Sequence, residues 1–223
     1  YHIDGFRFDL VGLLDAETIN QVVDEVHKTH PYVVFYGEGW TMGTAVKPAD
    51  TIMATQKNAY ATPEFAYFSD TFRDFLKGNG YSTWGYIQGA TEGDQEGTLI
   101  GCFMANTSWI KNPTQVINYA SCHDNYTLMD KINLTRGEGT TYEATFADRI
   151  KMNNLAAAIY LTSEGIPLIH AGEEMLRTKV DSNGNVIENS YNSPDYINSL
   201  KWGDLDSAQY QQVRDYYKGL IEF

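Results

Sequence analysis

Short apolar segments alternate with amphipathic helical patterns along this chain, and this order constrains its fold more than any other feature of the sequence. Dense apolar runs typical of buried strands occur at residues 2–10, 32–36, 115–120 and 166–170. Strands that alternate with helices form parallel sheets, because each helix carries the chain back across the sheet. The sequence therefore predicts an α/β fold with four or five parallel strands.

Apolar spacing and capping residues predict the intervening helices. Asp15 can cap a helix in which apolar residues recur at helical spacing. Phenylalanines between Phe65 and Phe75 are predicted to share one face of a second helix, which ends near Gly78. A third helix covers about 143–163, and the end of the chain forms a fourth.

Polar residues follow each predicted strand, and a (β/α)8 barrel builds its active site at that end of its strands. A complete barrel needs eight strands and about 250 residues. The chain is therefore predicted to be a partial (β/α)8 TIM barrel, from about the fourth strand to the eighth helix. Residues 1–223 would be the C-terminal portion of the barrel, without its N-terminal half or accessory domains, and inactive and poorly stable alone.

The charge and the composition of the chain disfavour some classes of binding partner. The formal net charge of −13 disfavours binding to nucleic acid and to anionic membranes. The longest apolar run, residues 155–161, is far shorter than the about 20 residues that span a bilayer. Two cysteines are too few for a disulfide scaffold or a thiolate metal cage. We therefore expect no nucleic-acid and no membrane partner.

Two carboxylates follow the first two predicted strands. Arg7 and Asp9 share a strand face, because side chains alternate, and the cation would keep Asp9 ionised as a nucleophile. Glu38 has apolar neighbours, which favour the protonated form that a general acid needs. A structural ion pair at Asp9 and a solvated Glu38 are equally good alternatives.

A third carboxylate, Asp124, follows a later strand beside His123. It could hold substrate hydroxyls, with His123 as a donor, although a capping aspartate beside a surface histidine explains this pair better on its own. A metal site at His170, Glu173 and Glu174 is disfavoured, because the spacing is not that of a helical zinc motif.

The chain has no serine-hydrolase elbow and no phosphate-binding glycine loop, so neither that chemistry nor a nucleotide cofactor is supported. Two carboxylates in different environments are typical of glycoside hydrolysis.

The motifs in this order resemble the α-amylase superfamily of glycoside hydrolases, a clan of retaining (β/α)8 barrels. Gly5–Asp9 (GFRFD) resembles its nucleophile strand, Gly37–Trp40 (GEGW) its acid/base strand, and Ser121–Asn125 (SCHDN) the strand with the third carboxylate. Within that superfamily these segments, together with the NSYNSPD run at residues 189–195, resemble the type I pullulanases, a family of α-1,6 debranching enzymes.

The resemblance implies roles for individual residues. Asp9 would be the nucleophile, Glu38 the general acid and then the base, and Asp124 a transition-state stabiliser. Trp40 would stack on a sugar, and Asp195 and Asn198 would hold glucose in the innermost subsite. The remaining residues implied to bind substrate are Arg7, His123, Arg177 and Tyr191.

The function implied is double-displacement hydrolysis of α-1,6 links in an α-glucan polysaccharide such as pullulan, starch or glycogen. No catalytic cofactor or catalytic metal is implied; structural calcium is compatible with the superfamily, but no complete calcium loop is identified. The alternatives are an α-1,4-acting amylase, an isoamylase-type enzyme, or a non-catalytic glucan-binding barrel. The compartment is open between cytoplasmic and extracellular.

Overall fold

A parallel sheet organises the computed structural model, which describes residues 2–44 and 47–223. Neighbours in the sheet are also neighbours in the chain, in the order β1-β2-β3-β4-β5. The pairings from β1 to β4 are parallel. The strands are β1 (Gly5–Phe8), β2 (Val34–Gly37), β3 (Phe65–Phe68), β4 (Val116–Asn118) and β5 (Ile166–Pro167). This topology confirms the predicted α/β class and is that of a partial (β/α)8 barrel.

The chain divides into two compact units. The first comprises Tyr1–Ser69, Met104–Asn118 and Glu164–Ile166. The second comprises Asp70–Phe103, Tyr119–Ser163 and Pro167–Phe223.

The first unit contains strands β1 to β4 and helix α1 (Ala16–His27). The helix begins where predicted, because the Asp15 carboxylate accepts a hydrogen bond of 2.8 Å from the backbone N–H of Thr18. Its buried face, with Ile19 and Val23, joins the aromatic side chains of the strands in one apolar core. The strands of this unit therefore pack against helix α1.

The second unit is helical. Its helices are α2 (Asp70–Lys77), α3 (Gln95–Phe103), α4 (Leu128–Arg136), α5 (Phe146–Thr162), α6 (Asp195–Asn198) and α7 (Ala208–Glu222). Leu128 and Ile132 of α4, Tyr160 of α5 and Tyr217 of α7 belong to one buried core. None of the described helices combines the length and the apolar character that a bilayer span requires.

One predicted helix is wrong at its start. Phe65–Phe68 forms strand β3, and helix α2 starts only at Asp70 and ends before Gly78, whose φ is +78°. All four residues of β3 are buried. A strand buried on both faces has a continuous apolar run, which apolar periodicity cannot distinguish from a helix.

Three helices, α3, α4 and the short α6, differ from the prediction, which gave no helix in these segments, and the strands are shorter than their apolar runs. Helix α4 lacks a clear apolar stripe, since Asp130 and Lys131 are buried beside Leu128 and Ile132. Buried polar residues of this kind disrupt the periodic pattern on which the prediction of a helix depends.

Candidate active site

Asp9 and Glu38 lie side by side in the first unit because the strands that precede them are paired. Phe8, the last residue of β1, is opposite Gly37, the last residue of β2. The Glu38 N–H then donates a 3.1 Å hydrogen bond to the Phe8 carbonyl. One carboxylate oxygen of Asp9 lies within 4.8 Å of one carboxylate oxygen of Glu38. Two carboxylates thus emerge at the same edge of the sheet.

Arg7 contacts both carboxylates. Its Nη1 lies 3.3 Å from Oδ1 of Asp9, and its Nη2 lies 3.0 Å from Oε1 of Glu38. The guanidinium also lies over the ring of Phe68, 5.5 Å from the ring centroid. The structure therefore holds one cation between two acids that are far apart in the sequence.

The two carboxylates differ in exposure. The Asp9 side chain is 66% exposed, whereas that of Glu38 is 7% exposed. Burial of Glu38 agrees with its apolar sequence neighbours, but the carboxylate is not in apolar surroundings. Its Oε2 accepts a 3.2 Å hydrogen bond from the N–H of Leu10, and Arg7 contacts Oε1. Each oxygen of the buried carboxylate therefore has a polar partner.

The backbone around Glu38 is tightly constrained. Leu10 adopts a left-handed conformation, with φ of 47°, and this turn directs its N–H to the Glu38 carboxylate. A Cβ on Gly12 would lie 2.0 Å from the carbonyl oxygen of Trp40, and one on Gly39 would lie 2.3 Å from the Tyr67 ring. Glycine at these two positions permits the close approach that fixes Glu38. Trp40 is itself half-buried.

His123 and Asp124 lie in the second unit, in the segment that follows β4. His123 Nε2 is 3.3 Å from Asp124 Oδ2, and both side chains are substantially exposed. Asp124 does not cap the helix that follows. Thr127 is the N-cap of α4, because its hydroxyl accepts a hydrogen bond from the N–H of Asp130. The capping explanation for Asp124 is therefore wrong.

The residues nominated for the innermost sugar subsite also lie in the second unit. Asn198 bonds to its own loop, donating to the Ser190 carbonyl at 2.7 Å and accepting from the Ser190 hydroxyl at 2.7 Å. Arg177 donates to the carbonyl of Asn198, so the structure brings these two residues together. Tyr191 and Asp195 are exposed.

Glu173 and His170 have environments that the sequence did not reveal. The Glu173 carboxylate accepts hydrogen bonds from the hydroxyls of Ser121, Tyr160 and Tyr217. Burial, with the nearby positive charge of Arg177, lowers the pKa of His170 to about 3. Both carboxylate oxygens of Glu173 therefore already accept hydrogen bonds from protein hydroxyls. The donors are distant in sequence, so no local signal could have identified this network.

The sequence and the fold of this chain are both similar to those of known proteins. No family model matches the sequence. A curated pullulanase from Bacillus subtilis (strain 168) is 35% identical over 210 residues, which are 91% of this chain and 27% of that protein. The crystal structure of apo pullulanase from Paenibacillus barengoltzii matches 100% of this chain and 33% of its own, with 38% identity and a TM-score of 0.86. This chain belongs to the pullulanase family of glycoside hydrolases.

A further structural neighbour is the pullulanase of Anoxybacillus sp. LM18-11, described as complexed with maltotetraose. It matches with 36% identity and a TM-score of 0.84, over 98% of this chain and 30% of its own. The chain therefore spans about a third or less of the length of these pullulanases. The resemblance inferred from the motifs and the partial-barrel fold are confirmed, and the roles of individual residues remain predictions.

Proposed function

We propose that the natural protein carrying this sequence is a retaining glycoside hydrolase that cleaves α-1,6 branch links in pullulan, starch or glycogen. The observation that carries the proposal is the pair Asp9 and Glu38, with carboxylate oxygens within 4.8 Å of each other. Retaining glycosidases hold their two carboxyl groups about 5–5.5 Å apart, whereas inverting enzymes leave room for a water between them. Membership of the pullulanase family supports the debranching specificity.

In the proposed first step, Asp9 attacks the anomeric carbon while Glu38 donates a proton to the leaving glycosidic oxygen. The bond to the leaving sugar breaks, and an ester bond forms between Asp9 and the anomeric carbon. In the second step Glu38 removes a proton from water, which attacks the same carbon and releases Asp9. The exposed Asp9 and the buried Glu38 suit attack and proton transfer respectively.

Arg7 lies beside both groups that carry negative charge during this cycle. Before the first step the charge is on Asp9, and after the ester has formed it is on Glu38. Arg7 Nη atoms lie 3.3 Å from Asp9 and 3.0 Å from Glu38, so the cation can stabilise either carboxylate without moving far. We infer that Arg7 stabilises the charge of whichever group is ionised.

The remaining predicted site residues belong to the same proposal. Asp124 would bind substrate hydroxyls more strongly in the transition state than in the ground state. The proposed partner is an α-glucan, which the maltotetraose complex of a related pullulanase supports. The side chains proposed to contact it are Arg7, Trp40, His123, Arg177, Tyr191, Asp195 and Asn198. The two carboxylates supply acid, base and nucleophile, so the proposed chemistry uses no cofactor.

Incubation of the complete natural protein with pullulan tests the linkage. We expect maltotriose as the product, and we expect Asp9→Asn to abolish its release. Asp24→Asn, which neutralises an exposed aspartate on α1, is the matched control and should leave turnover unchanged. Panose or isopanose would show α-1,4 cleavage instead. Retained glucan binding without any product would favour the non-catalytic barrel.

The configuration of the first product tests the mechanism. Proton NMR of the newly released reducing end should show the α-anomer before mutarotation, because two displacements at one carbon restore its configuration. Initial release of the β-anomer would mean a single displacement and would contradict the role of Asp9 as nucleophile.

A further inference from the structure

Glu173 lies in a buried pocket of hydroxyl groups in the second unit. Its Oε1 accepts hydrogen bonds from the hydroxyls of Tyr160 at 2.7 Å and Tyr217 at 3.0 Å. Its Oε2 accepts a hydrogen bond from the Ser121 hydroxyl at 2.6 Å. The residue is only 4% exposed. Every oxygen of this carboxyl group therefore has a protein donor.

These three bonds fix the orientation of the carboxyl group. Burial raises the pKa of Glu173, while the three hydroxyl donors act in the opposite direction by stabilising the ionised form. Tyr160 and Tyr217 belong to helices α5 and α7 and are buried in their core. Glu173 is thus anchored to the core of the unit.

Ser121 connects this anchor to the segment Ser121–Asn125. Ser121 is completely buried, whereas Asp124, three residues further on, has a partly exposed carboxylate. A second tether acts between them, since the Lys179 ammonium donates a 2.8 Å hydrogen bond to the His123 carbonyl. Lys179 is held in turn by a 2.8 Å bond from its own N–H to the carboxylate of Asp130. The segment is therefore fixed at two points before Asp124.

We propose that Glu173 is a positioning residue for Asp124: by holding Ser121, it fixes the segment that presents the Asp124 carboxylate to the substrate. This inference rests on the proposed function, because it takes Asp124 to bind substrate hydroxyls in the transition state. A displacement of about 1 Å in a catalytic constellation can reduce turnover by about a hundredfold. Loss of the anchor is therefore expected to reduce kcat more than it changes KM.

The geometry also predicts which substitution preserves the anchor. In Glu173→Gln, the remaining carbonyl oxygen can accept from both tyrosines, and the new amide group can donate to the Ser121 oxygen. The Ser121 proton can then turn towards His170 Nδ1, which lies 3.5 Å from Ser121 Oγ. Glutamine therefore keeps all three contacts without the charge. Glu173→Met fills similar space and keeps none of them.

The test compares two variants of the complete natural protein that each remove one hydroxyl donor from Glu173. Ser121→Ala breaks the link to the Asp124 segment, whereas Tyr160→Phe leaves that link intact. With pullulan as substrate, we expect Ser121→Ala to lower kcat about tenfold or more, with KM within about threefold. Tyr160→Phe should keep kcat within about twofold. Glu173→Gln should match the natural protein, and Glu173→Met should match Ser121→Ala.

Asp124→Asn separates failure of this inference from failure of the proposed function. If Asp124→Asn leaves kcat unchanged, the proposed role of Asp124 is wrong. If Asp124→Asn abolishes turnover while Ser121→Ala retains it, the positioning role of Glu173 is wrong. Equal losses in Ser121→Ala and Tyr160→Phe, or a change in KM alone, would also overturn it. Ser121→Ala decides the question even if Glu173→Met does not fold.

Discussion

Gly12 has no space for a side chain, because the carbonyl oxygen of Trp40 lies 2.0 Å from the position of a Cβ. The Gly12 N–H also donates to the Glu38 carbonyl at 3.3 Å. The contact between these backbones holds the turn after β1 against the turn after β2. A single residue without a side chain thus contributes to the separation of Asp9 and Glu38.

We expect Gly12→Ala to destabilise the folded chain by about 1–3 kcal/mol, since the backbone must move to relieve the overlap. Gly219→Ala is the matched control, because Gly219 lies within helix α7 and has open space around it. That variant should be more stable by roughly 0.5–1 kcal/mol. Urea denaturation measures both effects. Equal stability of the two variants would mean that the turn adapts freely.

The buried His170 is expected to make the free energy of unfolding depend on pH. Its pKa is lowered to about 3 in the folded state, because burial and the charge of Arg177 disfavour the protonated ring. Below its ordinary value of about 6.5, the unfolded chain binds a proton that the folded chain does not. The free energy of unfolding should therefore fall as pH decreases, by at most about 1.4 kcal/mol per pH unit from this group.

Comparison with His170→Gln isolates that contribution, because all other titrating groups are shared. Between pH 7.5 and 4.5 the natural sequence should lose more stability than the variant in urea denaturation. Parallel pH profiles for the two chains would contradict a neutral His170 in the folded state.

At the scale of elements, the best-predicted structures have their signals within a few residues. Helix α1 follows from the Asp15 cap and the apolar stripe after it. The bond from the Thr18 N–H lowers the pKa of Asp15, so its stabilisation is present at neutral pH and is lost as pH falls through that lowered value.

Asp15→Ala is expected to cost about 1 kcal/mol, since it leaves the Thr18 N–H without its acceptor. Asp15→Asn keeps an oxygen at the same place and should cost only a few tenths of that value. Thermal unfolding of the two variants, with helix content followed by circular dichroism, provides the measurement. A loss of equal size in both would show that charge, rather than the cap, is responsible.

Strand β3 and helix α4 show where sequence signals fail. The four residues of β3 are all buried, and only pairing with β2 and β4 makes that segment a strand. Helix α4 buries Lys131, whose ammonium donates to the carbonyls of Gly80 and Tyr81. These contacts link distant parts of the chain, so neither local propensity nor periodicity contains them.

For the whole molecule, the strand order has a consequence for solubility. β1 is the first strand of the sheet, and among the described strands it pairs with β2 alone. Ile3, just before β1, is 49% exposed, and Phe6 within it is also exposed. An unpaired strand edge beside apolar side chains can template pairing with another chain.

We therefore expect the 223-residue chain to self-associate in a concentration-dependent way, and Ile3→Lys to reduce that association. Sedimentation velocity at several concentrations measures it. Tyr32→Lys is the matched control, since it adds the same charge at an exposed residue outside the strands. If both variants reduce association equally, net charge rather than the strand edge is responsible.

The amino-acid sequence by itself determined the alternation of strands and helices, the start of α1, and the motifs that identify the family. These features depend on neighbouring residues, whose spacing is fixed by the covalent chain. Only the tertiary structure placed Arg7 between Asp9 and Glu38, and Glu173 among three hydroxyls from different segments. Such contacts arise because packing brings distant residues together, and packing depends on the shape and burial of the whole core rather than on sequence spacing.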